Sequence, residues 1–205
     1  MSRNALIAIG FAIAALGASA PAAAAILVFS TNLAGANENP AVNSSGSGTG
    51  VVTIDTTANT LRVALNFANL TGTTAASHLH CCGPANQNSP VATTTPTFPG
   101  FPLGVTSGAY DQTFDLTLAS SFNAAFLNNV TNGGNIATAR TTLVNGIIAG
   151  QSYLNIHTTF ASGGEIRGQL AAVPEASTWA MMLIGFAGVG VAVRRRRSAV
   201  VARPA

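Results

Sequence analysis

The clearest pattern in the chain is a strict alternation. From Thr60 to Phe67, the apolar residues Leu61, Val63, Leu65 and Phe67 fall on one side of an extended backbone and Arg62, Ala64 and Asn66 on the other. A period of two is what a strand with one buried face requires. Gly50 to Asp55 is rich in β-branched residues, and a Thr56–Asn59 turn joins it to the alternating run, so the pair predicts a β-hairpin. Further strands are expected at Ile26–Leu33, Ala75–His80, Gln112–Leu118, Gln151–Thr158 and Gly164–Leu170. Ser120–Asn128 and Ile136–Ile148 break the alternation with apolar spacings compatible with short helices, as in Ile136, Ala139, Leu143 and Ile147. Asn43–Gly50 (NSSGSGTG) reads as a flexible connector. Gly83–Gly104 carries Pro84, Pro90, Pro96, Pro99 and Pro102, so it cannot hold a central strand and is either functional or mobile. These elements predict a mainly β protein, an antiparallel β-sandwich with Greek-key-like pairing and one or two short helices. Its core is expected to include Leu61, Val63, Leu116, Leu118, Leu154 and Ile166.

Both ends depart from this pattern. Met1–Asn4 carries one positive charge, Leu6–Leu16 is apolar, and Gly17–Ala25 is made of small residues. That layout predicts a signal peptide over residues 1–25, cut by signal peptidase within Ala22–Ala25. At the other end, Val173-Pro174-Glu175 leads through Trp179 into an apolar stretch ending at Val193, then Arg194, Arg195, Arg196 and Arg197. Trp179–Val193 is 15 residues, about 22 Å as a helix, against a hydrocarbon core of about 30 Å. A short membrane helix is therefore expected, aided by Trp179 at one interface and bilayer thinning. The arginines place residues 199–205 in the cytoplasm and the body, residues 26–171, on the far side.

Composition sharpens this topology. Of the 205 residues only 7% are charged, none is lysine, and the net charge is +3. Most of the arginines lie in the end segments. Between Ile26 and Leu170, Arg62, Arg140 and Arg167 face Glu38, Asp55, Asp111, Asp115 and Glu165. A mildly acidic body lacks the basic surface that phosphate backbones need, which excludes nucleic acid.

Candidate chemistry is sparse. No serine sits in a G-x-S-x-G context and no lysine completes a phosphate loop. The three histidines are His78, His80 and His157. In a strand, His78 and His80 share a face, roughly 6–7 Å apart. In Tyr153–His157, Leu154 and Ile156 take the core face, and Asn155 and His157 the other. Three neutral imidazoles meeting across two strands would hold copper or zinc, with room for water or Glu165 as a fourth ligand. The competing reading is that each imidazole hydrogen-bonds within the sheet and binds nothing. Cys81-Cys82 admits a vicinal bridge, an intermolecular bridge, soft metal ligation or buried thiols; adjacent Cα atoms across a trans peptide, about 3.8 Å apart, sit below the usual disulfide window. Glu165 and Arg167 are expected to share a strand face as a surface ion pair, which contributes little.

Two resemblances follow from these strings. Residues 173–198 resemble the PEP-CTERM sorting signal of Gram-negative bacteria: Pro174 and Glu175 of the motif, the short helix opening at Trp179, and the cluster Arg194–Arg197, with Ala176 where the motif has its second proline. The resemblance implies exosortase as a partner, cleavage near Pro174-Glu175, and delivery to the cell surface or exopolysaccharide matrix. In the body, Leu33–Pro40, the Gly48–Asp55 strand, Ala76–His80, Tyr153–Thr158 and Gly163–Leu170 resemble the chordin-type (CHRD) domain over about residues 27–171. That family is β-rich and extracellular without an established enzymatic activity. The resemblance implies a binding or structural module engaging exopolysaccharide or surface proteins; the alternative is a histidine-based copper or zinc protein, of metalloenzyme type.

Overall fold

The computed structural model describes residues 26–174, 182–190 and 194. The alternating hairpin forms as expected: β2 (Ser47–Asp55) pairs with β3 (Thr60–Ala68), Val52 opposite Val63 and Ile54 opposite Leu61, all four buried. On the far side of β2 lies β1 (Ile26–Ala34), and on the far side of β3 lies β5 (Gly108–Asp115). The other half consists of β4 (Thr74–Cys81), β6 (Ser152–Thr158) and β7 (Ile166–Gln169). A two-residue β8 (Ala171–Ala172) pairs with β1.

The expected two-sheet sandwich is instead one eight-stranded antiparallel sheet, seven strands in the order β4-β6-β7-β1-β2-β3-β5 with β8 beside β1, curled into a half-barrel. β7 meets β1 at Ala34–Arg167, and this seam joins the halves. Curling brings β2 against β6: a Cβ at Gly50 would lie 2.7 Å from Leu154 Cδ1. Each strand still has one core face and one outer face, so alternation alone reads the same for a curled sheet as for two packed ones.

The proline-rich segment is neither a free loop nor a strand. It runs along the open edge of β4 and satisfies it: Cys81 N donates to Pro90 O, Ala92 N to Leu79 O and Phe98 N to Ser77 O, at 2.9–3.1 Å. Phe98 is fully buried and packs on Tyr110 and Phe114 of β5. This covers an exposed edge that would otherwise template aggregation.

Other expectations shift for local reasons. Ser47–Gly50, read as connector, belongs to β2, where small residues let β6 approach. β5 ends at Asp115, not Leu118, because Asp115 Oδ1 accepts from Thr117 N and Oγ1 in a side-chain turn. Leu118 is consequently 51% exposed rather than core. The first helical segment is a 3-10 turn plus α1 (Ala124–Leu127), capped by Asn123. α2 (Ile136–Ile148) forms over the expected span, capped by Asn135, with Ala139, Leu143 and Ile147 buried.

The expected signal peptide lies outside the described residues, as does much of the C-terminal segment. Residues 182–190 are helical. Among the described residues no helix is long and apolar enough to cross a membrane.

Gly168 on β7 allows the seam. A Cβ there would lie 2.2 Å from Thr31 Oγ1 and 2.5 Å from the backbone oxygen of Asn32, and backbone cannot yield as a side-chain tip can. Strand propensity alone favours alanine over glycine. We expect Gly168→Ala to lose at least about 2 kcal/mol by urea denaturation; an unchanged midpoint would contradict the seam.

Candidate metal centre

The register of β4 against β6 builds the site. Ala76 pairs with His157, His78 with Asn155, and His80 with Tyr153. Ser77, Leu79, Leu154 and Ile156 turn to the core and are fully buried. The five side chains His78, His80, Tyr153, Asn155 and His157 therefore share the opposite face. The ring centroids lie 5.9 Å apart for His78–His80, 5.1 Å for His78–His157 and 6.1 Å for His80–His157. One ligand nitrogen from each ring falls within 4.8 Å of the others.

Backbone carbonyls fix the tautomers. His78 Nε2 donates to Pro96 O at 2.7 Å, His80 Nδ1 to Ser89 O at 2.7 Å, and His157 Nδ1 to Ser162 O at 2.8 Å. A carbonyl only accepts, so each of these nitrogens carries the proton and the second nitrogen keeps its lone pair. Those second atoms, His78 Nδ1, His80 Nε2 and His157 Nε2, are buried without a hydrogen-bond partner. Ordinary sheet histidines satisfy both nitrogens, and these do not. Protonating them would bury a charge, so burial lowers all three pKa values despite the carbonyl contacts, that of His80 to about 4. The trio is held neutral, in the form that binds metal.

A surrounding shell holds the rings. Tyr153 stacks on His80 with centroids 4.6 Å apart, and the Arg167 guanidinium lies 4.6 Å over the other ring, Tyr153. Ser89 N donates to Tyr153 Oη, so one loop residue braces both the tyrosine and His80. Arg167 donates to Asn37 O and Asn88 Oδ1 and pairs with Glu38 at 4.0 Å. Burial raises Glu38 to about 7, against the opposing pull of Arg167 and the Asn155 amide.

Two expectations about Glu165 are corrected. Glu165 does not join the histidines. It precedes β7, is fully buried, and accepts from Ser44 Oγ, Thr71 N, Gly72 N and Thr158 Oγ1. Burial would raise its pKa, but these four donors lower it. Nor is it a surface partner of Arg167, which is 3% exposed and pairs with Glu38. Cys81 and Cys82 form a disulfide across a cis peptide bond; paired sulfurs offer no thiolate for a metal.

Some participants escaped the sequence reading. The alternation of Tyr153-Leu154-Asn155-Ile156-His157 does put Tyr153 and Asn155 beside His157. Nothing marked Glu38, 119 residues before His157 in the chain, or the loop carbonyls of Ser89, Pro96 and Ser162.

The fold and site define a single-sheet β module with a histidine trio on its outer face, His78 and His80 buried and His157 partly so. A family model for the CHRD domain matches residues 29–170, and one for the PEP-CTERM protein-sorting motif matches residues 172–197. The chain belongs to the CHRD domain family. Its sorting motif marks it for exosortase processing and export toward the cell surface in Gram-negative bacteria. Comparison with curated proteins and with solved structures finds no match.

Titration of the metal-free protein checks these environments. His80 has its folded pKa lowered to about 4 from 6.5, so the unfolded chain protonates first and stability is lost as pH falls from 6.5 to 4. Glu38 is raised to about 7 from 4.5, so its contribution is lost as pH rises through that window. The two oppose each other, each by about 3 kcal/mol at full extent. In Glu38→Gln only the histidine side remains, and its thermal midpoint should climb more steeply between pH 4.5 and 6.5 than that of the parent. Equal slopes would contradict the burial of Glu38.

Proposed function

We propose that this CHRD protein is an exported metal-binding module, holding one copper or zinc ion on His78 Nδ1, His80 Nε2 and His157 Nε2. The observation that carries this reading is the three buried imidazole nitrogens left without partners within 4.8 Å of one another. A free-standing sheet would gain nothing from them, because each unsatisfied buried acceptor costs about 1–3 kcal/mol. A divalent ion bonded at about 2.0–2.1 Å satisfies all three together. The imidazole–carbonyl bonds supply the outer shell that orients metal-bound histidines. Three neutral ligands leave the ion its full charge and an unfilled position, the arrangement that serves Lewis-acid chemistry and, with copper, electron transfer.

The reading extends to the ends of the chain. Signal peptidase releases residues 1–25, a short membrane helix within the sorting segment 173–198 anchors the chain with residues 199–205 cytoplasmic, and exosortase cuts near Pro174-Glu175. In support, Val173 N donates to Val28 O beside the β1–β8 pair. Ile26 and Val173, the described residues nearest the two proposed cuts, therefore lie at one edge of the body, and both are exposed.

A second reading, attachment to exopolysaccharide, has one favouring observation. A cleft of about 580 Å³ at the β1–β7 seam is lined mostly by uncharged residues, Asn32, Asn37, Thr49, Asn86 and Gln169 among them, with Arg167 as its one charged side chain. Such a lining suits uncharged hydroxylated ligands.

Calorimetric titration of the body with copper and with zinc separates these readings. One ion per chain is expected, with affinity falling at least tenfold in His80→Ala and in His157→Ala. Tight binding that both variants retain would move the site elsewhere, and no binding by the parent would end the metal reading.

A further inference from the structure

Among the described residues, five buried side-chain polar atoms lack a hydrogen-bond partner. Three are the histidine nitrogens. A fourth, Ser152 Oγ, belongs to the core-facing set of β6 with Leu154 and Ile156. The fifth, Asn155 Oδ1, stands on the histidine face. Asn155 is the cross-strand partner of His78 and lies two residues before His157, so two of the three imidazoles are its direct neighbours on that face.

The amide is held in place. Asn155 is 2% exposed, and its Nδ2 donates to Glu38 Oε1 at 2.7 Å. Gly164 closes over this contact: its φ is +131°, and a Cβ there would lie 2.3 Å from Asn155 Nδ2 and 2.6 Å from Glu38 Oε1. With its nitrogen engaged by Glu38, the carbonyl end of the amide is left turned away from that carboxylate. An amide oxygen buried in this way loses the hydrogen bonds it would have in water. It regains one only if something with a proton to give sits on the histidine face.

We propose that Asn155 Oδ1 serves the fourth position of the three-histidine centre, accepting a hydrogen bond from the ligand there. This deepens the metal reading and rests on it. An acceptor aimed at the open position discriminates among ligands by their protons. Water, alcohols and other hydroxyl-bearing molecules can donate to it. A bare anion such as azide brings only lone pairs and is repelled by the carbonyl dipole. The centre is therefore an open, exchangeable site that selects small protic oxygen donors over aprotic anions. His157 is the least buried of the three histidines and marks the side from which such a ligand enters.

The test uses cobalt(II) in place of the native ion, because its visible bands report the fourth ligand directly. The probe is sodium azide, titrated into the cobalt-loaded parent, Asn155→Leu and the double variant Asn155→Asp with Glu38→Gln. The parent bands should shift with azide. Asn155→Leu, which removes the acceptor, should bind azide about tenfold more tightly, and Asn155→Asp, made together with Glu38→Gln so that two carboxylates do not meet and share a proton, about tenfold more weakly. If Asn155→Leu does not fold, the near-isosteric double variant carries the comparison alone. Equal azide constants in parent and double variant would overturn the assignment of Asn155. Cobalt bands that ignore azide in the parent would overturn it too, since the site would then be closed. A parent that takes up no cobalt, copper or zinc fails at the earlier step, the metal reading itself.

Discussion

The register between β4 and β6 is the constraint on which the site depends. It sets Ala76 opposite His157 and His78 opposite Asn155, which gathers three imidazoles on one face. A slip of one residue would send His157 into the core and leave two histidines that no third could meet. The register is held from the other face, where Leu79, Leu154 and Ile156 are fully buried. The same apolar packing that stabilises the half-barrel therefore fixes the geometry of the polar face behind it. Ser77 adds a polar lock, its Oγ donating to Asn155 O at 2.8 Å.

Register alone would leave the rings free to turn. The segment between β4 and β5 supplies the rest, because it covers the open edge of β4 and aims the carbonyls of Ser89 and Pro96 at the rings. A proline-rich chain suits this work. It cannot continue the sheet as a regular strand, yet it lends single carbonyls at irregular intervals. Three buried lone pairs without partners are a local deficit that the core must offset, a pattern typical of functional positions rather than of packing.

Much of this was legible in the sequence. Strict alternation in Thr60–Phe67 gave β3 and its partner, and helical spacing gave α2, because each signal reports a single element's own faces. The histidines were separable from the core for the same reason. How the strands assemble was not legible: a curled sheet and a sandwich place identical demands on every strand, and the difference lies in Gly168 and Gly50, whose missing side chains permit approach. Leu118 was misread because Asp115 ends the strand through its own side chain, an event of two residues that periodicity cannot register. Glu38 stands beside Arg167, where Glu165 was expected, for a related reason. Both are buried, but what each carboxylate meets is decided by residues distant in sequence: Ser44, Thr71 and Gly72 of the connecting segments for Glu165, Asn155 of β6 and Arg167 of β7 for Glu38.

The most direct measurement is diffraction from metal-soaked crystals of the body at the copper and zinc absorption edges. The account predicts one anomalous peak, bonded to His78 Nδ1, His80 Nε2 and His157 Nε2, with the opposite nitrogens still on their carbonyls. A peak at other residues, or an ordered water bridging those three nitrogens in crystals soaked with either ion, would contradict it.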